Sequence, residues 1–143
     1  MTDPYDLKRF VDAQARVYSQ VIAELSRGEK RSHWMWFIFP QAIGLGHSAM
    51  SLRYAIKSSG EAAAYLEHPL LGSRLIECTE LALAAPDRSV HDIFGFPDDM
   101  KFHSSMTLFN AFSSDGAFEK TLLRFFDGQS DQATLDIIGS WNR

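Results

Sequence analysis

Apolar residues recur along the chain at spacings of three and four, and nowhere alternate in the period of two that marks a half-buried strand. Leu7, Phe10, Val11, Val17, Tyr18, Val21, Ile22 and Leu25 form one stripe, interrupted only by Gln14, and predict a single helix between Asp3 and Gly28. Asp3 is placed to cap it, Pro4 suits its first position, Asp6 adds charge near the positive dipole end and Gly28 stops it. Its other face (Lys8, Arg9, Asp12, Arg16, Gln20, Glu24) reads as solvated. Ser32 is placed to cap a short segment, His33 to Phe39, which Pro40 closes. Apolar side chains point in nearly every direction there, so the segment is buried on most sides. It would also suit a central strand, but no second strand candidate exists to pair with it, and a helix is the reading.

Residues 41–48 (QAIGLGHS) read as a loop with two glycines, followed by helical stretches over 49–57 and 61–68. The next helix starts at Pro69, carries Leu71, Leu75, Cys78 and Ala82 at core spacing, and ends at Pro86. Ser89 opens a short turn that Gly95 breaks, and Pro97-Asp98-Asp99 opens a long helix to the region of Ser113. A further helix covers 117–126, and Ser130 is placed to cap the last, which runs to Trp141. The pattern predicts an all-α fold, a single compact domain over residues 1–143 of about seven or eight short helices without repeats or linkers.

Composition narrows the classes further. Of 143 residues, 45% are hydrophobic and 22% charged, which fits an ordinary soluble globular protein and argues against disorder. A net charge of -4 gives no electrostatic footprint for nucleic acid or anionic lipid. The longest apolar run, Trp34 to Pro40, is far too short to span a membrane, and no basic start followed by an apolar run marks export, so the chain reads as cytoplasmic. One cysteine makes no internal disulfide and no multi-thiolate zinc site, and His33, His47, His68, His91 and His103 stand in no metal-binding arrangement. Neither a metal nor a cofactor is predicted.

Candidate chemistry gathers on the helix opened by Pro97. At about 100° per residue, Asp98, Lys101 and Ser105 share one narrow stripe, with Ser104 beside it and Phe109 and Phe112 further along. A polar group on an otherwise apolar face is paired or lines a cavity. In the functional reading Lys101 meets an anion, Asp98 or Asp99 acts as general base or hydroxyl acceptor, and Ser104 and Ser105 donate. In the structural reading the same residues cap the helix and pair Asp98 with Lys101 on the surface. Trp34 and Trp36 are core, or a platform for a ligand's ring; His33 is structural, or a catalytic acid or base. Gln41 pairs with backbone or offers its amide to a nucleobase. Arg27, Lys30 and Arg31 form a small basic patch, either a solvated turn or a phosphate receiver. Gly44 to Ser48 lacks the preceding strand and the lysine of a P-loop.

HWMWFIFPQ (33–41), GLGHS (44–48), YLEHPLLGSRL (65–75) and IFGFPDDMKFHSSMTLF (93–109) together resemble a bacterial family of unknown function that sometimes carries the label "calpastatin", over the span Leu7 to Ile138. The resemblance implies a small, mostly α-helical single domain. The label would imply a calpain inhibitor; such inhibitors are disordered and repetitive, whereas this composition is globular. A fainter similarity to the NADAR family, helical proteins tied to NAD and ADP-ribose metabolism, rests on His33 to Gln41, Lys101-Phe102, and Asp136 with Trp141. Ser32 stands where that pattern has Glu, and Gly139-Ser140-Trp141 reverses its Trp-Gly order. That similarity implies binding or N-glycosidic hydrolysis of an ADP-ribose-like or nucleotide-derived ligand, with Trp34, Trp36 or Phe109 on the base, Lys101 on a phosphate and Asp98 or Asp99 on the ribose. The alternative is a non-enzymatic protein-interaction module. Oligomeric state is not legible in the sequence.

Overall fold

In the computed structural model, which describes residues 2–141, the stripe from Leu7 to Leu25 folds as two helices, α1 (Lys8–Ala15) and α2 (Tyr18–Ser26). The break falls at Val17, whose φ of -128° and ψ of -5° leave the helical region. No glycine or proline causes it. The two halves of the stripe bury against different partners, α1 against α3 (Met35–Ile38) and α2 against α6 (Leu71–Ala84), and the bend lets each reach its own. Asp3 does accept hydrogen bonds from the Leu7 and Lys8 amides, both at 2.9 Å. Asp6, however, takes a left-handed φ of 52°, so the helix starts at Lys8 and leaves Pro4 and Asp6 outside.

Two residues of the face expected in solvent are buried. Arg9, 8% exposed, donates to the carbonyls of Tyr5, Asp6, Arg53 and Ala55 and pairs with Glu61 Oε2 at 2.6 Å. Glu61 Oε1 takes the Lys57 amide at 2.9 Å. The pair clasps the N-terminal turn to the segment entering α5 (Ser59–Glu67). Glu24, 1% exposed, accepts the Arg31 and Ser32 amides, the Ser32 hydroxyl and the Trp34 indole N–H at 2.6–3.0 Å. Burial alone would raise its pKa; the hydrogen bonds overcome that and hold it at about 2. Ser32 is thereby engaged and does not cap α3, whose start carries no side-chain cap.

Among the described residues there are ten helices, completed by α4 (Ala49–Arg53), α7 (Val90–Phe94), α8 (Asp98–Asn110), α9 (Ala117–Phe126) and α10 (Gln132–Trp141). The fold is all-α, with two more helices than the upper expectation because the first divides and α7 forms a complete capped turn. The helix expected over 49–57 ends at Arg53, and Ile56 instead makes an isolated parallel bridge to Ala42. The segment 33–39 is helical over one turn.

The centre is α8, which packs against α5, α7, α9 and α10. One aromatic chain crosses the core from Phe10 to Tyr65 (ring centroids 5.0 Å apart), Phe109 (5.3 Å) and Phe118 (6.1 Å). A second cluster joins Phe39, Phe94 and Phe102, with Phe94 stacked on Phe102 at 4.4 Å. At Gly72 a Cβ would lie 2.1 Å from the Leu66 carbonyl oxygen, so α6 meets the end of α5 only because that residue has no side chain. Cys78 is fully buried, and burial pushes its thiol up to about 12, the behaviour of a small core hydrophobe. No described helix is long and apolar enough to cross a membrane. Among the described residues no cluster of His, Cys, Asp and Glu could hold a metal ion.

Candidate functional site

A cleft of about 290 Å³ opens where α8, the 41–51 loop and the start of α10 converge. Its polar wall is Gln41, Lys101, Ser104 and Asp131; Leu45, Pro97 and Met100 supply the apolar part. The loop is held by the Ala42–Ile56 bridge, with Ile43 N donating to Ile56 O and Ile56 N to Gln41 O, both at 2.9 Å. It then folds tightly over itself: a Cβ on Gly46 would sit 2.6 Å from Ser51 Oγ, and Ser48 caps α4 by accepting from Ser51 N at 3.1 Å.

Behind the cleft stands an alternating ladder of charge and aromatic ring. Asp98 lies between two lysines, Lys30 at 2.8 Å and Lys101 at 3.5 Å. Lys30 sits 5.1 Å over the Trp34 ring and donates to the Ser32 carbonyl, while Lys101 sits 5.3 Å over Trp36. The basic patch of the sequence divides: Arg27 and Arg31 are exposed, with Arg31 paired to Glu29 at 3.0 Å, whereas the Lys30 side chain is only 7% exposed and points inward. The Lys101 ammonium faces Asp98 Oδ1 in a loose ion pair at 3.5 Å and makes no shorter polar contact with a described residue.

Asp131 closes the far side. Its Oδ2 accepts from the Ser104 hydroxyl (3.0 Å), the Thr134 hydroxyl (2.6 Å) and the Thr134 amide (3.3 Å). Asp131 therefore caps α10, in the place expected of Ser130, because its oxygen reaches the amide three residues on. Its Oδ1 accepts nothing from the described residues, and the Gln41 carboxamide likewise has no hydrogen bond among them. Asp131 Oδ1 and the Gln41 carboxamide thus line the cleft without a hydrogen bond among the described residues, and Lys101 lines it with only the loose Asp98 pair and the Trp36 ring.

The family model described as a protein of unknown function, DUF1810, matches residues 4–138, almost the whole chain and every wall of the cleft. The chain belongs to the DUF1810 family. Among solved structures, the conserved hypothetical protein Rv1873 from Mycobacterium tuberculosis is similar with a TM-score of 0.95 and 51% identity, over 96% of this chain and 99% of that one. No curated protein matches. The DUF1810 match gives the expected family of unknown function, and neither comparison supports the calpastatin label or a NADAR relationship.

In this DUF1810 chain Gln41, Lys101 and Ser104, which the sequence nominated separately, line one cleft, with Asp98 touching the group through Lys101. The remaining candidates lie elsewhere. Asp99 is turned about 100° from Asp98 and meets His91 at 3.3 Å. His33 is exposed and has no hydrogen bond or ion pair among the described residues. Trp34 is fully buried, with its indole N–H on Glu24 and Lys30 over its ring, so no face is open for stacking. Trp36 is half-buried beneath Lys101. Ser105 is fully buried and its hydroxyl has no partner among the described residues. Phe109 belongs to the core, and Phe112 stacks with Trp141 at 6.4 Å. Sequence reasoning missed Asp131 and named Lys30 only as part of a basic patch, without its place beside Asp98. Asp131 is a preferred N-cap residue type directly before the last helical pattern, and that could have located it.

Proposed function

We propose that this DUF1810 protein is a cytoplasmic binder of a small polar, nucleotide-derived ligand, held in the cleft between α8, the 41–51 loop and α10. The observation that carries the reading is the convergence of the loosely paired Lys101 ammonium, the Gln41 carboxamide and Asp131 Oδ1 on one concavity with an apolar side. A concave site with an apolar lining and a few convergent polar groups is the usual form of a small-molecule pocket. The volume selects among ligands: about 290 Å³ lies at the lower edge of the range of about 300–1,000 Å³ for small-molecule pockets. That suits one sugar or one mononucleoside, so an ADP-ribose-like molecule would place one half inside and leave the other on the surface. If hydrolysis follows binding, activation of water falls to Asp131 Oδ1, because both Asp98 oxygens face lysines and Asp99 and His33 stand outside the cleft.

The test is a thermal-shift screen of ADP-ribose, NAD, nucleosides and sugar phosphates on wild type and Gln41→Ala in parallel. A ligand at a hundredfold excess over Kd stabilises by about 2.7 kcal/mol, a rise of several degrees for a domain of this size. A shift in wild type that shrinks in Gln41→Ala supports the reading; no shift with any compound rejects it. One observation favours the interaction-module alternative: two large apolar side chains are exposed, Phe96 at 74% and Met100 at 60%, with Met100 lining the cleft and Phe96 directly preceding Pro97, which also lines it. In that case Phe96→Ser removes a partner or an oligomer while leaving small-molecule shifts absent throughout.

A further inference from the structure

Lys101 and Asp131 carry opposite charges, line the same small cleft and do not pair with each other, since the only ion pair of Lys101 among the described residues is the 3.5 Å contact with Asp98. Neither group is idle by accident of exposure. Lys101 is held above Trp36 and only 25% of its side chain is exposed, while Asp131 is fixed by three hydrogen bonds to one of its two oxygens. Two preoriented groups of opposite sign, separated within one cavity, fit a ligand with two different ends.

We infer that the cleft recognises a short polyol carrying one oxyanion, the anion meeting Lys101 and a hydroxyl donating to Asp131 Oδ1; this rests on the reading of the cleft as a ligand site. The charge balance supports it. Lys30 and Lys101 offset Asp98 and Asp131, so the site has no net excess of cation. A bare anion would meet the carboxylate of Asp131 at close quarters, whereas a ligand with one anionic group and hydroxyls at its other end brings the anion to the Lys101 side and a hydroxyl donor to the Asp131 side. Lys30 matters indirectly. Paired with Asp98 Oδ2 at 2.8 Å, it shares the carboxylate whose Oδ1 faces Lys101 at 3.5 Å, so Asp98 does not neutralise Lys101 alone. A sugar phosphate and a sugar acid share this chemistry.

The experiment is isothermal titration with ribose 5-phosphate, the five-carbon sugar acid ribonate, ribose and inorganic phosphate, on wild type, Lys101→Met, Lys101→Arg and Asp131→Asn. Asn retains the cap of α10, and melting of each unliganded variant confirms that it folds. In wild type the two polyol anions bind about 10- to 100-fold more tightly than ribose, the value of one charge-assisted hydrogen bond. Lys101→Met abolishes that margin and leaves ribose unchanged, and Lys101→Arg restores it. Asp131→Asn weakens ribose and both polyol anions and leaves inorganic phosphate bound as tightly as before or more tightly, since it removes a carboxylate from beside the anion. Preference for one anion over the other identifies the source. The inference is overturned if Lys101→Met weakens ribose as much as ribose 5-phosphate, or if Asp131→Asn leaves ribose binding intact. A nucleoside that binds while all four probes fail leaves the cleft a ligand site and overturns the polyol-anion assignment alone.

Discussion

With four hydrogen bonds on one buried carboxylate, Glu24 ties the turn after α2 to α3 and fixes the indole that Lys30 covers. Glu24→Gln lets the amide oxygen take the three Oε1 bonds and its NH2 donate to the Ser32 hydroxyl, but it removes the charge that strengthens all four, so it should destabilise the protein by about 3 kcal/mol at neutral pH. A group whose pKa falls from an ordinary 4.5 to about 2 on folding adds stability that is complete above its unfolded value and lost as pH drops through the folded one. The gap between wild type and Glu24→Gln should therefore narrow between pH 4.5 and 2, which urea titrations across that window would reveal. Ser105 gives the opposite case: its buried hydroxyl has no partner among the described residues, so Ser105→Ala should leave stability equal or raise it by about 1 kcal/mol in thermal melts. Ser105 stood out in the sequence as a polar residue on a core-facing stripe, but Glu24 did not. Glu24 falls among charged residues at helical spacing, and nothing along the chain says that a turn seven and eight residues later folds back onto it.

At the scale of elements, the close approach of α5 and α6 depends on Gly72. Gly72→Ala drives a methyl into the Leu66 carbonyl and forces the helices apart, at a cost of about 3 kcal/mol or more by denaturant unfolding. The Arg9–Glu61 clasp is asymmetric in a different way. Arg9→Met leaves a carboxylate buried without its cation and should cost about 3–5 kcal/mol, while Arg9→Met with Glu61→Leu should recover much of that loss. Elements bounded by punctuation were readable: Gly28, Pro40, Pro86, Gly95 and Pro97 all fall between helices, and the capping of α7 by Ser89 follows its spacing to Asp92. The break at Val17 was not, because periodicity reports burial and is silent on which partner does the burying. For the same reason Gln41, Lys101 and Ser104 could be nominated singly from the sequence, but their meeting with Asp131 depends on how α10 lies on α8.

Over the whole molecule, α8 is surrounded by four other helices, whereas α10 lies at the edge and packs chiefly on α8. One wall of the cleft is therefore rooted in the centre of the fold and the other at its margin. Asp131 belongs to both, since the carboxylate that starts α10 also borders the cavity. Occupancy and helix integrity then become linked equilibria. Each brief unwinding of the last helix dismantles the binding surface, and each bound molecule opposes that unwinding by the free energy of its own attachment. Amide hydrogen exchange would read this directly: a saturating ligand should slow exchange throughout α10 while leaving α5, on another side of the fold, unaffected.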